Sequence, residues 1–383
     1  MGQHDQMSER REAEGRGRSG AMDNTLPPAS PTERLQPLGA REPIDVDAIV
    51  AFLAAHVPDP PRTLTVRRFG GGSSNLTYLL SDGAREWVLR RPPPGPLLPT
   101  AHDMAREFRV ISALTGTNVP VARPIALCTD PALLGAPFYL MERRRGFVVR
   151  DEVPPELGDS PARRQRASLA LIEAMAKLHT VDWRAVGLAD GFGKPSGYVE
   201  RQLNRWHEQW ARSKTTEIAD LDRLEEWLRA RVPVSPATTI VHGDFRLENC
   251  LLDPHSLDVV AIFDWEMSTL GDPLADLGWT LAYWPGAGDP PIWRAAIGSV
   301  SAEPGFPGRD LLVAHYQHLT GFGVDDIRFY EVLALYKLTI IAQGIYRRAR
   351  NGQIPAERID EIAARVGKIA AAGRAVAEGV KVL

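Results

Sequence analysis

From Thr63, where apolar and polar positions alternate through Phe69, the pattern is that of short strands, and after Glu142 it becomes helical. Ahead of that change, Asp45 caps a helix running through His56, with Val46, Ile49, Val50 and Leu53 on one face. Strands are then predicted at Thr63–Phe69, Asn75–Leu80 and Glu86–Arg91, the last two joined by the hairpin turn Asp82-Gly83. Pro92–Pro94 end the third, because proline cannot donate to a ladder. A helix near Ala101–Leu114 precedes two more strands, Val121–Leu127 and Phe138–Met141. Beyond Glu142, Ser160-Pro161 starts a helix whose apolar face is Leu169, Ile172, Met175 and Leu178. Further helices are predicted at Tyr198–Arg212, Ala219–Leu228, Leu311–Leu319, Asp325–Arg348 and Ala356–Glu378. The expected architecture is α+β: a disordered tail over 1–42, a small β-rich half over 43–142, and a larger helical half over 143–383.

One stretch breaks the helical pattern. Thr238–Trp284 places His242, Asp244, Arg246, Asn249, Asp264, Glu266, Asp272 and Asp276 between short apolar runs, which predicts a strand, a polar loop, a hairpin and a second polar loop. Charged residues at strand ends more often do chemistry than packing. Asp244 closes a strand, where a carboxylate can take a proton from a bound hydroxyl. Asn249 and Asp264 offer one neutral and one charged oxygen to a hard cation, and Arg246 a fixed positive charge. His242 has no second His or Cys at ligand spacing, so it reads as a hydrogen-bonded structural residue. Asp272 and Asp276 read as helix caps, Cys250 as a small buried residue, and Glu266 as either a cap or a partner of the cation's ligands.

In the β-rich half, Gly70, Gly71, Gly72, Ser73 and Ser74 lie between two strands. Such a loop is either a flexible hairpin or a cover for phosphate oxygens, since absent β-carbons let backbone N–H groups approach closely. It is not a P-loop: no Gly-Lys-Ser/Thr follows, and the next element is a strand. Arg90 could meet phosphates from the third strand with Glu107 holding it, although Glu107 alone reads as an exposed helix carboxylate. Arg91 points to the opposite face and reads as a solvated charge.

Composition narrows the function classes. With 383 residues, 44% hydrophobic and 24% charged, the chain has an ordinary globular make-up, and a net charge of −3 leaves no basic footprint for nucleic acid. Cys128 and Cys250 are too few for a disulfide framework. The amino terminus lacks an apolar core of the secretory kind, Met22 offers a second start, and the longest apolar run, Val332–Ile345, is interrupted by Tyr336, Lys337 and Gln343. A cytoplasmic protein without a membrane span is expected.

Taken together, FGGGSSNLTYLL, WVLRRPPPG, AHDMAREFRVISAL, LHTVDW, TTIVHGDFRLEN and DWEMSTLGDPLADLGW resemble the aminoglycoside phosphotransferase family. Within it they are most similar to the kinase-like domain fused to acyl-CoA dehydrogenase family members ten and eleven, and to its free-standing bacterial relatives. HGDFRLEN looks like the catalytic loop and IFDWE like the metal-binding segment. The likeness covers about residues 43–350. It implies a bilobal protein-kinase-like fold with a small antiparallel-sheet N-lobe and a mainly helical C-lobe. It also implies ATP and Mg²⁺ as cofactors, Asp244 as catalytic base with Arg246 beside it, and Asn249 and Asp264 as Mg²⁺ ligands. Gly70–Ser74 would cover the phosphates. Arg90 would stand at the strand-three lysine position with Glu107 as partner, and Met141 and Glu142 would hold the adenine. Alignment of Arg91 to that lysine position remains an alternative. The implied acceptor is a small molecule with a hydroxyl group, a hydroxyacyl-CoA or hydroxy acid. An aminoglycoside or amino-alcohol kinase, a nucleotide-binding pseudokinase and a metal-dependent phosphohydrolase are the alternatives.

Overall fold

Six antiparallel strands form the first layer of the protein, in a computed structural model that describes residues 35–39, 44–70, 75–93, 103–286, 289, 291–297, 300–353 and 359–379. These strands are β1 (Leu35–Pro37), β2 (Thr65–Phe69), β3 (Leu76–Ser81), β4 (Glu86–Arg91), β5 (Pro124–Cys128) and β6 (Phe138–Glu142), in the spatial order β1-β2-β3-β4-β6-β5. Helix α1 (Val46–Ala54) lies between β1 and β2 in sequence, and α2 (Met104–Leu114) between β4 and β5. β1 departs from the expected disordered tail: Leu35–Pro37 pairs with Arg67–Phe69 along the edge of β2. Residues 1–34 lie outside the described residues.

Alternation in the strands decides what each face meets. Trp87 and Leu89 of β4 point to the outer face, where Ile49 and Leu53 of α1 close a small core with Leu80, Phe138 and Leu140. Each of the fully buried Ile49 and Leu53 contributes about 1.5–3 kcal/mol by leaving water. Val88 points inward and joins Tyr139, Met141 and α2 in a much larger core that continues through the helical half. Arg90 therefore shares the inward face of Val88, and Arg91 the outward face of Trp87 and Leu89.

The helical half contains α3 (Pro161–His179), α4 (Tyr198–Ser213), α5 (Ala219–Arg229), α6 (Pro273–Ala282), α7 (Pro291–Ile297), α8 (Arg309–Thr320), α9 (Ile327–Arg350) and α10 (Ile359–Ala377). Predicted caps are in place at Asp45, Ser160 and Asp272, and Asp103 caps α2 as well; each accepts a backbone N–H of the first turn, which contributes about 1 kcal/mol apiece. Between α5 and α6 run β7 (Thr239–Val241), β8 (Cys250–Leu252), β9 (Val259–Ile262) and β10 (Thr269–Gly271). β8 and β9 form the expected hairpin, and β10 returns to pair with β7, so both polar loops leave the same small platform.

The strand-to-helix junction is tied to that platform. Phe147 and Leu252 exchange both backbone hydrogen bonds at 2.9 and 2.8 Å. Gly146 permits this approach, since a β-carbon there would stand 2.4 Å from the Leu252 carbonyl oxygen. No helix among the described residues is long and apolar enough to cross a membrane.

Candidate active site

The loop between β7 and β8 carries Asp244, Arg246 and Asn249, and is shaped by what holds its backbone. Gly243 has φ of 86°, and a β-carbon there would meet Met267 at 2.8 Å, so the tight turn into Asp244 requires glycine. Asp276, on α6 and buried, accepts the backbone N–H of His242 at 2.6 Å and of Gly243 at 2.7 Å. His179 Nε2 lies 3.2 Å from the same carboxylate. Burial works against its charge, but His179 and the His242 contacts outweigh it and hold the Asp276 carboxyl below its ordinary range. Asp276 therefore supports the loop rather than capping α6, a correction to the sequence reading. Asp272 is the cap, through Leu274 N at 3.0 Å. His242 is structural as expected: buried, with Nε2 2.7 Å from the Phe263 carbonyl and Nδ1 accepting the Asp244 N–H.

Both oxygens of Asp244 are engaged. Oδ1 accepts the Trp279 indole N–H at 2.6 Å and Oδ2 the Asn249 amide at 2.9 Å. Asn249 Nδ2 also donates to the Asp244 carbonyl at 2.8 Å. That fixes the amide with its nitrogen on Asp244, leaving its oxygen as the group it can offer a cation. Arg246 pairs with Glu248 at 2.7 Å, and its Nε lies 3.2 Å from Asp244 Oδ1 without alignment for a hydrogen bond.

Asp264, two residues past the end of β9, has a left-handed backbone conformation, φ 67° and ψ 58°, which is unusual for a non-glycine residue and recurs at functional sites. Its Oδ1 receives Arg90 Nη2 at 2.5 Å, and Arg90 Nε donates to Glu107 Oε2 at 2.8 Å. One guanidinium thus joins the sheet, α2 and the second polar loop. Glu107 is fully buried, not an exposed helix carboxylate, and also accepts Asn75 Nδ2 and the Tyr139 hydroxyl. Burial opposes the Arg90 charge, but Glu107, Tyr139 and Asp264 keep it protonated well above its ordinary range. Arg91 is buried as well, against expectation, and its Nε donates to the Pro92 carbonyl. Only Arg90 reaches Glu107.

Glu266 follows Asp264 by two residues and accepts Asn75 Nδ2 at 3.3 Å. Carboxylate oxygens of Glu107, Asp264 and Glu266 lie within 4.8 Å of one another, so Glu266 is neighbour to the candidate cation ligands. With Asp264 and the Asn249 amide oxygen, the donors are all oxygen, the type that suits Mg²⁺. Cys250 is fully buried, and burial pushes its thiol up, as suits a packing residue.

Two cavities meet at this loop. Gly70, Arg90, Met141, Glu142, Asn249 and Asp264 line the cleft between sheet and helices. Gly71, Gly72, Ser73 and Ser74 lie outside the described residues. At the end of β6 the Glu142 N–H is already given to the Arg123 carbonyl. A second cavity, bordered by Thr280, Tyr283, Ile297, Arg365 and Lys368, opens beneath the loop. Arg150, Arg246 and Glu248 line both. Sequence reasoning passed over Asn75, Trp279 and the support given by Asp276. Asp276, Trp279 and Thr280 fall on one face of α6 at helical spacing, but nothing on that helix shows which loop the face meets.

A small antiparallel sheet over a helical lobe, with two polar loops meeting in the cleft between them, is the architecture of a kinase-like phosphotransferase. The chain belongs to the phosphotransferase enzyme family, whose family model matches residues 65–312. It is 37% identical to mouse acyl-CoA dehydrogenase family member 10 over 79% of its length and 36% identical to mouse member 11 over 82%. It spans only 28% and 41% of those two proteins. A solved structure from Ralstonia eutropha, assigned as an aminoglycoside phosphotransferase, is 33% identical with a TM-score of 0.75. The match covers 88% of this chain and 99% of that one.

Proposed function

We propose that the protein transfers the γ-phosphoryl group of ATP to the hydroxyl of a small molecule, with Mg²⁺ as cofactor. The observation that carries this reading is the placement of Arg246 and Glu248, on the loop of Asp244, in the walls of both cavities. A donor in the inter-lobe cleft and an acceptor in the second cavity would meet there. The acceptor oxygen attacks the γ-phosphorus and forms the new P–O bond. The bond from that phosphorus to the bridging β–γ oxygen breaks, and ADP leaves with its electrons. The acceptor proton passes to Asp244.

Each site residue has a part in this scheme. Asp244 orients and deprotonates the acceptor; Arg246 offsets charge on the transferred group. Asn249 and Asp264 would hold Mg²⁺, which when bound neutralises the phosphate oxygens. Arg90, held by Glu107, grips the phosphates with a fork that matches two oxygens. Gly70 faces the cleft where they would lie, and the Met141-Glu142 edge receives the base.

For the acceptor we favour a hydroxyacyl-CoA or hydroxy acid. The second cavity is bordered by Arg150, Arg246, Arg365 and Lys368 against Asp151, Glu248 and Glu361, a balance that supports an anionic ligand over a polycation. The names of the mouse relatives support an acyl-CoA class. The Ralstonia structure's assignment favours a second reading, an aminoglycoside kinase. ADP release measured with a hydroxyacyl-CoA and with kanamycin separates them: faster turnover on the former supports our reading, and turnover on kanamycin alone overturns it.

A further inference from the structure

Helices α6 and α9 contact three consecutive residues of the loop. Thr280 Oγ1 donates to the Phe245 carbonyl at 2.7 Å, Trp279 Nε1 to Asp244 Oδ1 at 2.6 Å, and Lys337 Nζ to the Gly243 carbonyl at 2.9 Å. The Lys337 ammonium also stands 3.8 Å from the centre of the Trp279 indole and 5.7 Å from that of Trp206. A lysine here is costly. Burial drives its pKa down to about 8, although Asp244 and Asp276 oppose the shift and Arg205 adds to it. A leucine or methionine would fill the same space without that cost, so the ammonium needs a reason beyond packing.

The geometry supplies one. An ammonium over an indole face attracts the ring's negative quadrupole and fixes its plane. The indole N–H then points at one carboxylate oxygen of Asp244 while the Asn249 amide takes the other. Arg246 Nε also stands 3.2 Å from the first oxygen, and the second keeps an acceptor position. We propose that Trp279 is a positioning residue for phosphoryl transfer: its N–H locks the rotation of the Asp244 carboxylate, and Lys337 clamps the indole in place. The role rests on the phosphotransferase reading above. It fixes the direction in which Asp244 accepts the acceptor proton.

The test uses nucleotide-free, full-length ¹⁵N-labelled protein followed by NMR. In the wild type, one indole N–H resonance is expected far downfield and protected from solvent exchange, and it should move upfield in Asp244→Ala. Trp279→Phe keeps an aromatic face for Lys337 but has no N–H. It should lose that resonance and lower kcat roughly 10- to 100-fold with KM for ATP within about twofold. Lys337→Met should keep the resonance, weaken its protection and lower kcat by less. If no indole resonance responds to Asp244→Ala, the contact is overturned whatever the reaction; an unchanged kcat in Trp279→Phe overturns the positioning role. A responding indole in a protein that phosphorylates nothing overturns instead the phosphotransferase reading, and the role with it.

Discussion

Arg90 Nη2 and Asp264 Oδ1 lie 2.5 Å apart across the cleft, one on the sheet and the other just past the end of β9. The same guanidinium is held by Glu107 from α2. Asp264 is a proposed metal ligand and Arg90 a proposed phosphate contact, and the two are paired with each other. Magnesium nucleotide would have to share or displace that pair. Arg90→Met should therefore weaken ATP binding about 10-fold or more, the worth of a charge-assisted hydrogen bond. Isothermal titration with and without Mg²⁺ checks it, and unchanged affinity would remove Arg90 from the phosphate site.

Asp264→Ala should lose the part of nucleotide binding that depends on Mg²⁺. A variant that binds nucleotide with the same Mg²⁺ dependence as the wild type would count against Asp264 as ligand.

Asp276→Asn keeps the shape of a buried side chain while replacing one of its acceptor oxygens by a donor. With two backbone N–H groups and His179 facing it, the substitution should cost about 2–4 kcal/mol. It should also lower kcat, because the loop before Asp244 loses its anchor. Urea unfolding gives the first number; a stability equal to the wild type would show that the loop needs no such support.

Glu331 offers a pH test at a group outside the candidate site. It is buried beside Arg309, which already makes a bidentate pair with Asp289 at 2.7 and 2.6 Å. Burial, with Asp289 adding and Arg309 opposing, pushes Glu331 from 4.5 up to about 7. A carboxyl with a raised folded pKa contributes stability that is fully present below 4.5 and lost as pH rises through 7. Glu331→Gln should thus gain on the wild type between pH 5 and 8, by on the order of 2 kcal/mol. Parallel stability curves across that range would contradict it.

Strands, helices and caps were legible because each is set by local pattern: short apolar runs at β3 and β4, Pro161 behind Ser160, Asp82-Gly83 at the hairpin. Asp244, Arg246, Asn249 and Asp264 stood out because polar residues at strand ends have few structural explanations. The rest depended on partners distant in sequence. β1 is a strand only because β2 offers it an edge. Glu107 looks solvated on its own helix and is buried because Arg90, Asn75 and Tyr139 converge on it. Arg91 is buried by the outer face of the sheet. Trp279 looks like an ordinary helix aromatic until its N–H is seen on Asp244, a residue 35 positions earlier.

The central claim is that Asp244 serves ATP-dependent phosphorylation of a hydroxyl group. Purified protein incubated with a metabolite pool, ATP and Mg²⁺, and followed by mass spectrometry, tests it most directly. A metabolite should gain the mass of one phosphoryl group, dependent on ATP and Mg²⁺, with the rate falling roughly 10²- to 10⁴-fold in Asp244→Asn. Turnover in Asp244→Asn equal to the wild type, or no phosphorylated product from any hydroxyl-bearing pool, would contradict it.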